Sequence, residues 1–517
     1  MTRILVGFLA LLSFFLPCAG QKGKSPNTPA QKYIVRKVTQ EPFRSGLVGV
    51  LAVKMSRDTI ADYRSLHKLL PASNVKLITT GLTLKGLGVE YRFTTTLGYD
   101  GEVKDGVLNG DLYIIGGGDP TIASGDRNVL PADSLFGRWK SMLDSVGIAC
   151  INGRVIGDGR CFDGTIEHSS WGAGDLGTYY GAGGDGLCFY RNMFDIKVFP
   201  GTKPGEAIGL DPIFPKLPWL ELRNRAITGP VDSDNTLNLL TTELAKTAQM
   251  RGSYPINRAP RIEQCSNKFG ALTCAAYFTD YLKLNGLEVT GGAADIDAYD
   301  MVRPAFGVDS CQGFSAPSGS ACRAADACKL KIIGSTFSPS LKEIAFTTNS
   351  RSDNFYAETM LRALSLSKSG SASYDSCMVV INRGLDSLGV DASYGVRMVD
   401  GSGLARHNYI SPDFMCRFLA AMAKTEVFED FLQTISRPGD AGMRTRLAGQ
   451  PASLKSRIFM KSGSMNGVVC YSGYVIPSSG RRDDIIVFSI MTNNCSGTSQ
   501  PARDFMDGLI PLIAVEN

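Results

Sequence analysis

Three short clusters in this 517-residue chain hold the residue types that acyl transfer requires. The first is Ser73-Asn-Val-Lys76. A hydroxyl and an amine three positions apart fall on one helical face. Serine is a poor nucleophile until a base takes its proton. Lysine serves as that base only when burial or nearby positive charge disfavours its ammonium, whose ordinary pKa is about 10.4. A helix beginning at Ser73 aims backbone N–H groups at an oxyanion and disfavours a cation beside it. The second cluster is Ser352-Asp-Asn354, a hydroxyl able to relay a proton and a carboxamide able to hold lysine and substrate. A helix cap explains Ser352 equally well. The third is Lys461-Ser462-Gly463-Ser464. A cation and a hydroxyl on a strand edge suit a carboxylate, and the glycine admits a substrate backbone. Alone, Lys461 reads as an ordinary surface lysine.

Each cluster has decoys: Ser65-Leu-His-Lys68, Ser365-Leu-Ser-Lys368, Ser233-Asp-Asn235 and Lys368-Ser-Gly370. Context separates them. Only Ser73 follows Pro71-Ala72 and enters an apolar run of Val75, Leu77, Ile78 and Leu82. Ser65 lies in a connector and Ser365 at a polar helix end. Lys461 leads into the strand pattern Gly467 to Val475, and Lys368 leads into none.

Positioning such groups takes a sheet and a buried helix. Leu47 to Lys54 and Ile60 to Tyr63 read as strands around the Ser56-Arg-Asp58 turn. Pro71-Ala72 introduces a helix from Ser73 to about Leu84, stopped by Gly86 and Gly88. From about Tyr91 to Leu330, short alternating segments are broken by Gly, Pro and Asp turns. This stretch reads as β-rich, with Asn235 to Met250 as its main helix candidate. Helical periods return at Phe355 to Leu366, Tyr374 to Leu388 and Pro412 to Ala423. Strands at Val468 to Ile476 and Ile485 to Thr492 precede a closing helix, Ala502 to Val515. Gly116 to Gly118 reads as a turn, since Asp119 and Pro120 oppose phosphate binding. Asp400, Ser402 and Arg406 fit a Gly-rich turn at least as well as a site. The expected division is a leader over 1–20, a discontinuous catalytic unit of 32–92 and 333–517, and an insertion over 93–332 with room for two subdomains.

Apolar residues at 44% and charged residues at 20% describe a globular chain. The net charge of +5 is spread without a basic block, which argues against nucleic acid as a partner. The three histidines, His67, His168 and His407, show no metal spacing, and C-x-x-C is absent. No metal or other cofactor is therefore expected. Met1-Thr-Arg3, the apolar run Ile4 to Pro17 and Cys18-Ala-Gly20 read as a secretory leader cleaved near Gly20. A lipid anchor on Cys18 is the alternative, which Phe15 and Pro17 fit poorly. Cleavage removes Cys18 from the 13 cysteines and leaves an even number, which permits disulfides in an exported chain. Cys150 with Cys161, Cys265 with Cys274, and Cys311, Cys322 and Cys328 lie close in sequence, without a fixed pairing. Cys377, Cys416 and Cys470 sit in apolar runs and read equally as buried thiols.

The order S-x-x-K, S-x-N, K-[ST]-G resembles the serine acyltransferase set of penicillin-binding proteins and β-lactamases. The whole chain resembles one branch, the D-alanyl-D-alanine carboxypeptidase/endopeptidase family of low-molecular-mass penicillin-binding proteins (class C, peptidase family S13). The resemblance rests on Pro71 to Thr79, Gly116 to Thr121, Tyr179 to Ala182, Ser352 to Glu358, Asp400 to Leu404 and Lys461 to Gly463. The long insertion between the first two clusters also fits that branch, and compact β-lactamases lack it. The implied fold is α/β: a β-lactamase/penicillin-binding-protein-like catalytic domain, an antiparallel sheet with flanking helices, carrying a large β-rich insertion. The implied activity is that of an exported, periplasmic D-Ala-D-Ala carboxypeptidase and endopeptidase. By the same resemblance Ser73 would attack the carbonyl between two D-alanines, with Lys76 as base. Ser352 would pass the proton to the leaving amine, and Asn354 would position groups. Lys461 and Ser462, beside Gly463, would hold the terminal carboxylate, and the N–H groups of Ser73 and Ser464 would form the oxyanion hole. The implied partners are peptidoglycan peptides, with β-lactam antibiotics as inhibitors and peripheral membrane contact open. Ser462 stands where threonine is common, and the cysteine content is high for the family. Two other readings stay open: a β-lactamase, marked by fast turnover of the acyl-enzyme, and a non-catalytic wall-binding protein. The intact Ser73, Lys76 and Lys461 count against the latter.

Overall fold

The computed structural model describes residues 27–296 and 330–516. The expected leader, Cys18, Cys311, Cys322 and Cys328 lie outside the described residues.

Both ends of the chain build one sheet. Its strands are β1 (Leu47–Lys54), β2 (Thr59–Tyr63), β3 (Ile458–Met465), β4 (Val468–Val475) and β5 (Ile486–Asn493). Their order is β2-β1-β5-β4-β3, antiparallel throughout. The N-terminal β1 pairs with β5 along its whole length, from Leu47 opposite Asn493 to Lys54 opposite Ile486.

Every residue of β4 and β5 is buried, because helices cover both faces. On one face Ile486, Phe488 and Ile490 pack with helix α1 (Pro29–Lys37) and the C-terminal helix Gln500–Ala514, which contributes Phe505, Met506 and Leu509. On the other, Val487 and Met491 meet a helical core. That core holds α2 (Val75–Leu87), α3 (Leu341–Ser350), α4 (Asn354–Ser369), α5 (Tyr374–Ser387) and α6 (Pro412–Met422). Helix α2 is buried at every position from Val75 to Leu84, Lys76 and three threonines included. Two glycines let its neighbours close in. A Cβ on Gly86 would lie 2.5 Å from the Leu364 side chain of α4, and one on Gly81 3.0 Å from the Phe418 ring of α6.

Between α2 and α3 the chain builds a second, mixed sheet. Its order is Ala293–Asp295, Val155–Asp158, Leu112–Gly116, Thr94–Tyr99, Lys331–Phe337. Helices Ala132–Ser145 and Gly270–Leu284 pack on it through Phe136, Trp139 and Phe278. Smaller sheets share a separate core around Phe194, Ile196 and Val198. Gly116 to Gly118 is not a turn: Gly116 ends the strand Leu112–Gly116, the Gly118 N–H donates to the distant Gly186 carbonyl, and the chain turns only after Asp119, which accepts from the N–H and hydroxyl of Thr121.

Four more local readings need correction. Asn235 to Met250 is not a helix but a strand pair, Asn238–Thr242 against Ala245–Arg251, with Leu239 opposite Met250. Its threonines and alternating Ala248 and Met250 suit a half-buried ribbon. Two helices of the insertion, Ala132–Ser145 and Gly270–Leu284, were hidden by the glycines and polar residues around them. The strand Lys331–Phe337 pairs with Thr94–Tyr99, so the chain leaves the insertion after Phe337 rather than at 332. Cys265 and Cys274 are separate thiols in different cores.

One side chain ties the sheet to the segment before Ser73. Asn493, at the end of β5, accepts from the Leu70 N–H at 2.6 Å and donates to the Leu70 carbonyl at 3.1 Å. Removing both bonds leaves the Leu70 N–H without its side-chain partner and its carbonyl with the weak Cys470 thiol donor, at 3.4 Å. Asn493→Ala is expected to cost about 2 kcal/mol in urea unfolding. A cost near zero would show that water replaces the side chain.

Candidate active site

The three clusters meet between α2, the loop before α4, and β3. Ser73 lies in a single 3-10 turn, Ala72–Asn74, that runs into α2. The turn is forced. Ala72 adopts a left-handed φ of +45°, which costs an L-residue about 1–3 kcal/mol. Glycines on two sides permit it. A Cβ on Gly403 would lie 2.0 Å from the Ala72 carbonyl oxygen, and one on Gly463 2.9 Å from the Ser73 nitrogen. Strand β3 therefore lies directly against the Ser73 turn.

Lys76 is 0% exposed. Its Nζ is 3.0 Å from Ser73 Oγ, 2.7 Å from Asn354 Oδ1 and 2.7 Å from the Ser402 carbonyl oxygen. The Asn354 amide is oriented by its Nδ2, which donates to the Tyr180 carbonyl at 2.9 Å. Two of the three groups around the amine are thus pure acceptors. A neutral amine has two N–H bonds and one lone pair. When Lys76 is neutral, the two acceptors are the partners for its N–H bonds, which leaves the lone pair for the Ser73 hydroxyl. Burial supplies the neutrality: it brings Lys76 down to about 7, against the opposing charges of Glu358 and Asp400.

Lys461 points into the same space from β3. It is 1% exposed, and its Nζ donates to Ser352 Oγ at 2.8 Å and to the Ser462 carbonyl at 2.7 Å. Burial first, and the nearby Lys76 second, hold it well below the usual lysine range. Among the described residues no carboxylate pairs with it. An anionic ligand would stabilise the charged form that burial disfavours. Ser352 is half-buried with a φ of +57°, and Asp353, not Ser352, caps α4 by accepting from the Tyr356 N–H. Ser462 and Ser464 lie at the partly open edge of the site, with Gly463 buried between them.

The decoys go elsewhere. Asn235 closes a local turn onto the Leu237 N–H, and Ser365 bonds the Ser371 carbonyl. Among the described residues no histidine bonds Ser73, and no three groups are placed to hold a metal.

Asp400 and Ser402, left open by the sequence, are both fully buried in the site. Asp400 accepts from Trp171, Asn408 and the N–H groups of Gly403 and Ala405. Arg406 is exposed and reaches only the Asn466 carbonyl, at 3.5 Å. The carbonyls of Tyr180 and Ser402 were invisible to motif reading, since any residue type supplies one. Glu358 carried a signal: an acid one helical turn after Asn354, in an otherwise apolar stretch. Burial, with Asp400 adding to it, pushes its carboxyl above the usual range.

An antiparallel sheet against a buried helix, with a serine, a buried amine and a second lysine facing one cleft, defines an active-site serine hydrolase of the β-lactamase and penicillin-binding-protein fold. The chain belongs to the D-Ala-D-Ala carboxypeptidase 3 (S13) family, whose profile matches residues 31–300 and 318–512. It is a serine-type D-Ala-D-Ala carboxypeptidase. It is 26% identical over 480 residues to a D-alanyl-D-alanine carboxypeptidase of Actinomadura sp. (strain R39), covering 89% of this chain and 80% of that protein. The crystal structure of penicillin-binding protein 4 (dacB) from Haemophilus influenzae matches with a TM-score of 0.76 at 20% identity, over 93% of this chain and 99% of that one. The same protein complexed with a β-lactam matches at 0.69, with 20% identity, over 92% and 98%.

With Lys76 as the base, its unprotonated form would set the pH dependence. Below about 7, Lys76 holds its proton and its lone pair is lost. The rate constant kcat/KM is expected to fall about tenfold per unit below that value and to level off above it. A profile flat between pH 5 and 8 would contradict this.

Proposed function

We propose that Ser73 is the nucleophile and Lys76 its base, acting on the D-Ala-D-Ala ends of peptidoglycan stem peptides. Lys76 takes the Ser73 proton as Oγ attacks the carbonyl between the two D-alanines. The N–H groups of Ser73 and Ser464 hold the oxyanion. Ser352, hydrogen-bonded to Lys461, relays that proton from Lys76 to the departing amine, so D-alanine leaves neutral at nitrogen and Lys76 and Ser352 end as they began. Asn354 keeps the amine of Lys76 in place. Lys461 and Ser462 hold the substrate's terminal carboxylate, and Gly463 makes room for its backbone. Water then attacks the ester, and Ser73 regains its proton. The single observation that carries this reading is the buried Lys76 amine 3.0 Å from Ser73 Oγ, with two pure acceptors, Asn354 Oδ1 and the Ser402 carbonyl, as its other partners.

The same site accommodates crosslinked peptides as a DD-endopeptidase, since the scissile bond again follows a D-alanine. β-Lactams acylate Ser73 in place of substrate; the related Haemophilus protein was crystallised with one. The catalytic unit comprises 32–92 and the chain after Phe337, with the segment between them as an accessory insertion. Residues 1–20 direct export to the periplasm. Among the described residues no helix is long and apolar enough to cross a membrane.

Labelled penicillin is expected to bind covalently, one per chain, with Ser73→Ala abolishing the label. A mutant that still labels refutes the assignment. Mass spectrometry of digested muropeptides then separates the activities. Loss of one alanine from pentapeptides marks carboxypeptidase, and conversion of crosslinked dimers to monomers marks endopeptidase.

A further inference from the structure

We propose that Glu358 is the positioning residue of acylation: it fixes the Gly401–Ser402 turn so that the Ser402 carbonyl meets Lys76 and leaves the amine's lone pair to Ser73. This rests on the reading of Lys76 as the base.

Glu358 is 0% exposed and lies one turn after Asn354 on α4, so both side chains leave the same helical face. Its Oε2 accepts from the Gly401 N–H at 3.0 Å and its Oε1 from the Ser402 N–H at 2.8 Å. The next N–H, of Gly403, ends on Asp400 at 2.8 Å. Three successive peptide groups thus direct their N–H bonds at two buried carboxylates. Their opposite ends face α2. The Gly401 carbonyl accepts from Thr79 Oγ1 at 2.7 Å, and the Ser402 carbonyl from Lys76 Nζ at 2.7 Å. A peptide plane is rigid, so an anchored N–H aims the carbonyl of the residue before it: the Ser402 N–H on Glu358 aims the Gly401 carbonyl at Thr79, and the Gly403 N–H on Asp400 aims the Ser402 carbonyl at Lys76. Glu358 therefore sets the plane on the N-terminal side of Ser402 and Asp400 the plane on its C-terminal side, so the carbonyl that meets Lys76 is placed by Asp400 directly and by Glu358 through the Ser402 backbone it anchors. Both oxygens of Glu358 are engaged by backbone, so it acts through the turn and not on substrate.

The alternative is a carboxylate that merely holds the fold together. Glutamine at 358 keeps one acceptor and turns an NH2 against the second N–H, at nearly constant volume. The full-length protein is acylated with a fluorescent penicillin over a range of concentrations. This yields a limiting acylation rate, an apparent dissociation constant and the fraction of chains labelled at the end. For Glu358→Gln the limiting rate is expected to fall at least about tenfold, with the dissociation constant within about threefold and labelling still complete. A labelled fraction that drops while the labelled molecules react at the normal rate would overturn the proposal, as would a normal rate throughout. Thr79→Val removes the hydrogen bond on the opposite side of the same turn without touching any charge. It is expected to slow the limiting rate about threefold or more, again without weakening binding. If the glutamine variant does not fold, an unchanged rate in Thr79→Val overturns the proposal. Failure of Lys76 as the base shows separately, in wild-type acylation that does not slow with acidity.

Discussion

An amine shut away from water beside a hydroxyl is the constraint that the surrounding structure serves. A buried ammonium is costly unless it is fully paired. Here the protein offers two neutral acceptors and a hydroxyl, and keeps the two carboxylates, Glu358 and Asp400, one layer away. That spacing matters. A carboxylate in direct contact would stabilise the ammonium and abolish the base. Placed behind the turn, the same charges orient peptide groups and temper the proton affinity without quenching it.

Much of this was legible in the chain. Ser73, Lys76, Ser352, Asn354 and Lys461 stand in short clusters of recognisable order, and the structure brings all five to one cleft. The apolar run of α2 and the strand pattern after Lys461 also signalled their elements, because burial imprints side-chain type and period. Backbone contributions leave no such imprint. Nothing in Tyr180 or Ser402 announces that its carbonyl will be used. The left-handed conformations of Ala72 and Ser352 are imposed by tertiary contacts, since neither residue type favours them. Within the insertion the ribbon over 238–251 misled for a related reason: Leu239 and Leu240 fit either period, and only pairing decides between them.

The insertion also reaches the loop that bears Ser352 and Asn354. Arg191 forms an ion pair with Asp353, and Asp126 accepts from Tyr356 at 2.5 Å and pairs with Arg351. Farther along α4, the buried Arg362 donates to the carbonyls of Asp163, Thr165, Gly184 and Ala372. These contacts hold the 163–184 segment, with its Tyr180 carbonyl, against the helix that carries Asn354. What the sequence presents as a large appendage is, at these points, a wall of the site.

The pairing of β1 with β5 has a consequence for how the protein is made. Synthesis releases β1 more than 400 residues before its partner β5. A nascent chain therefore carries an unsatisfied strand edge through most of translation, and a chain stopped before Ile486 leaves both β1 and β4 open. Exposed edges of this kind recruit other chains. Late closure of the central sheet makes the protein a slow, high-contact-order folder that depends on being kept apart from its siblings until the final strand arrives.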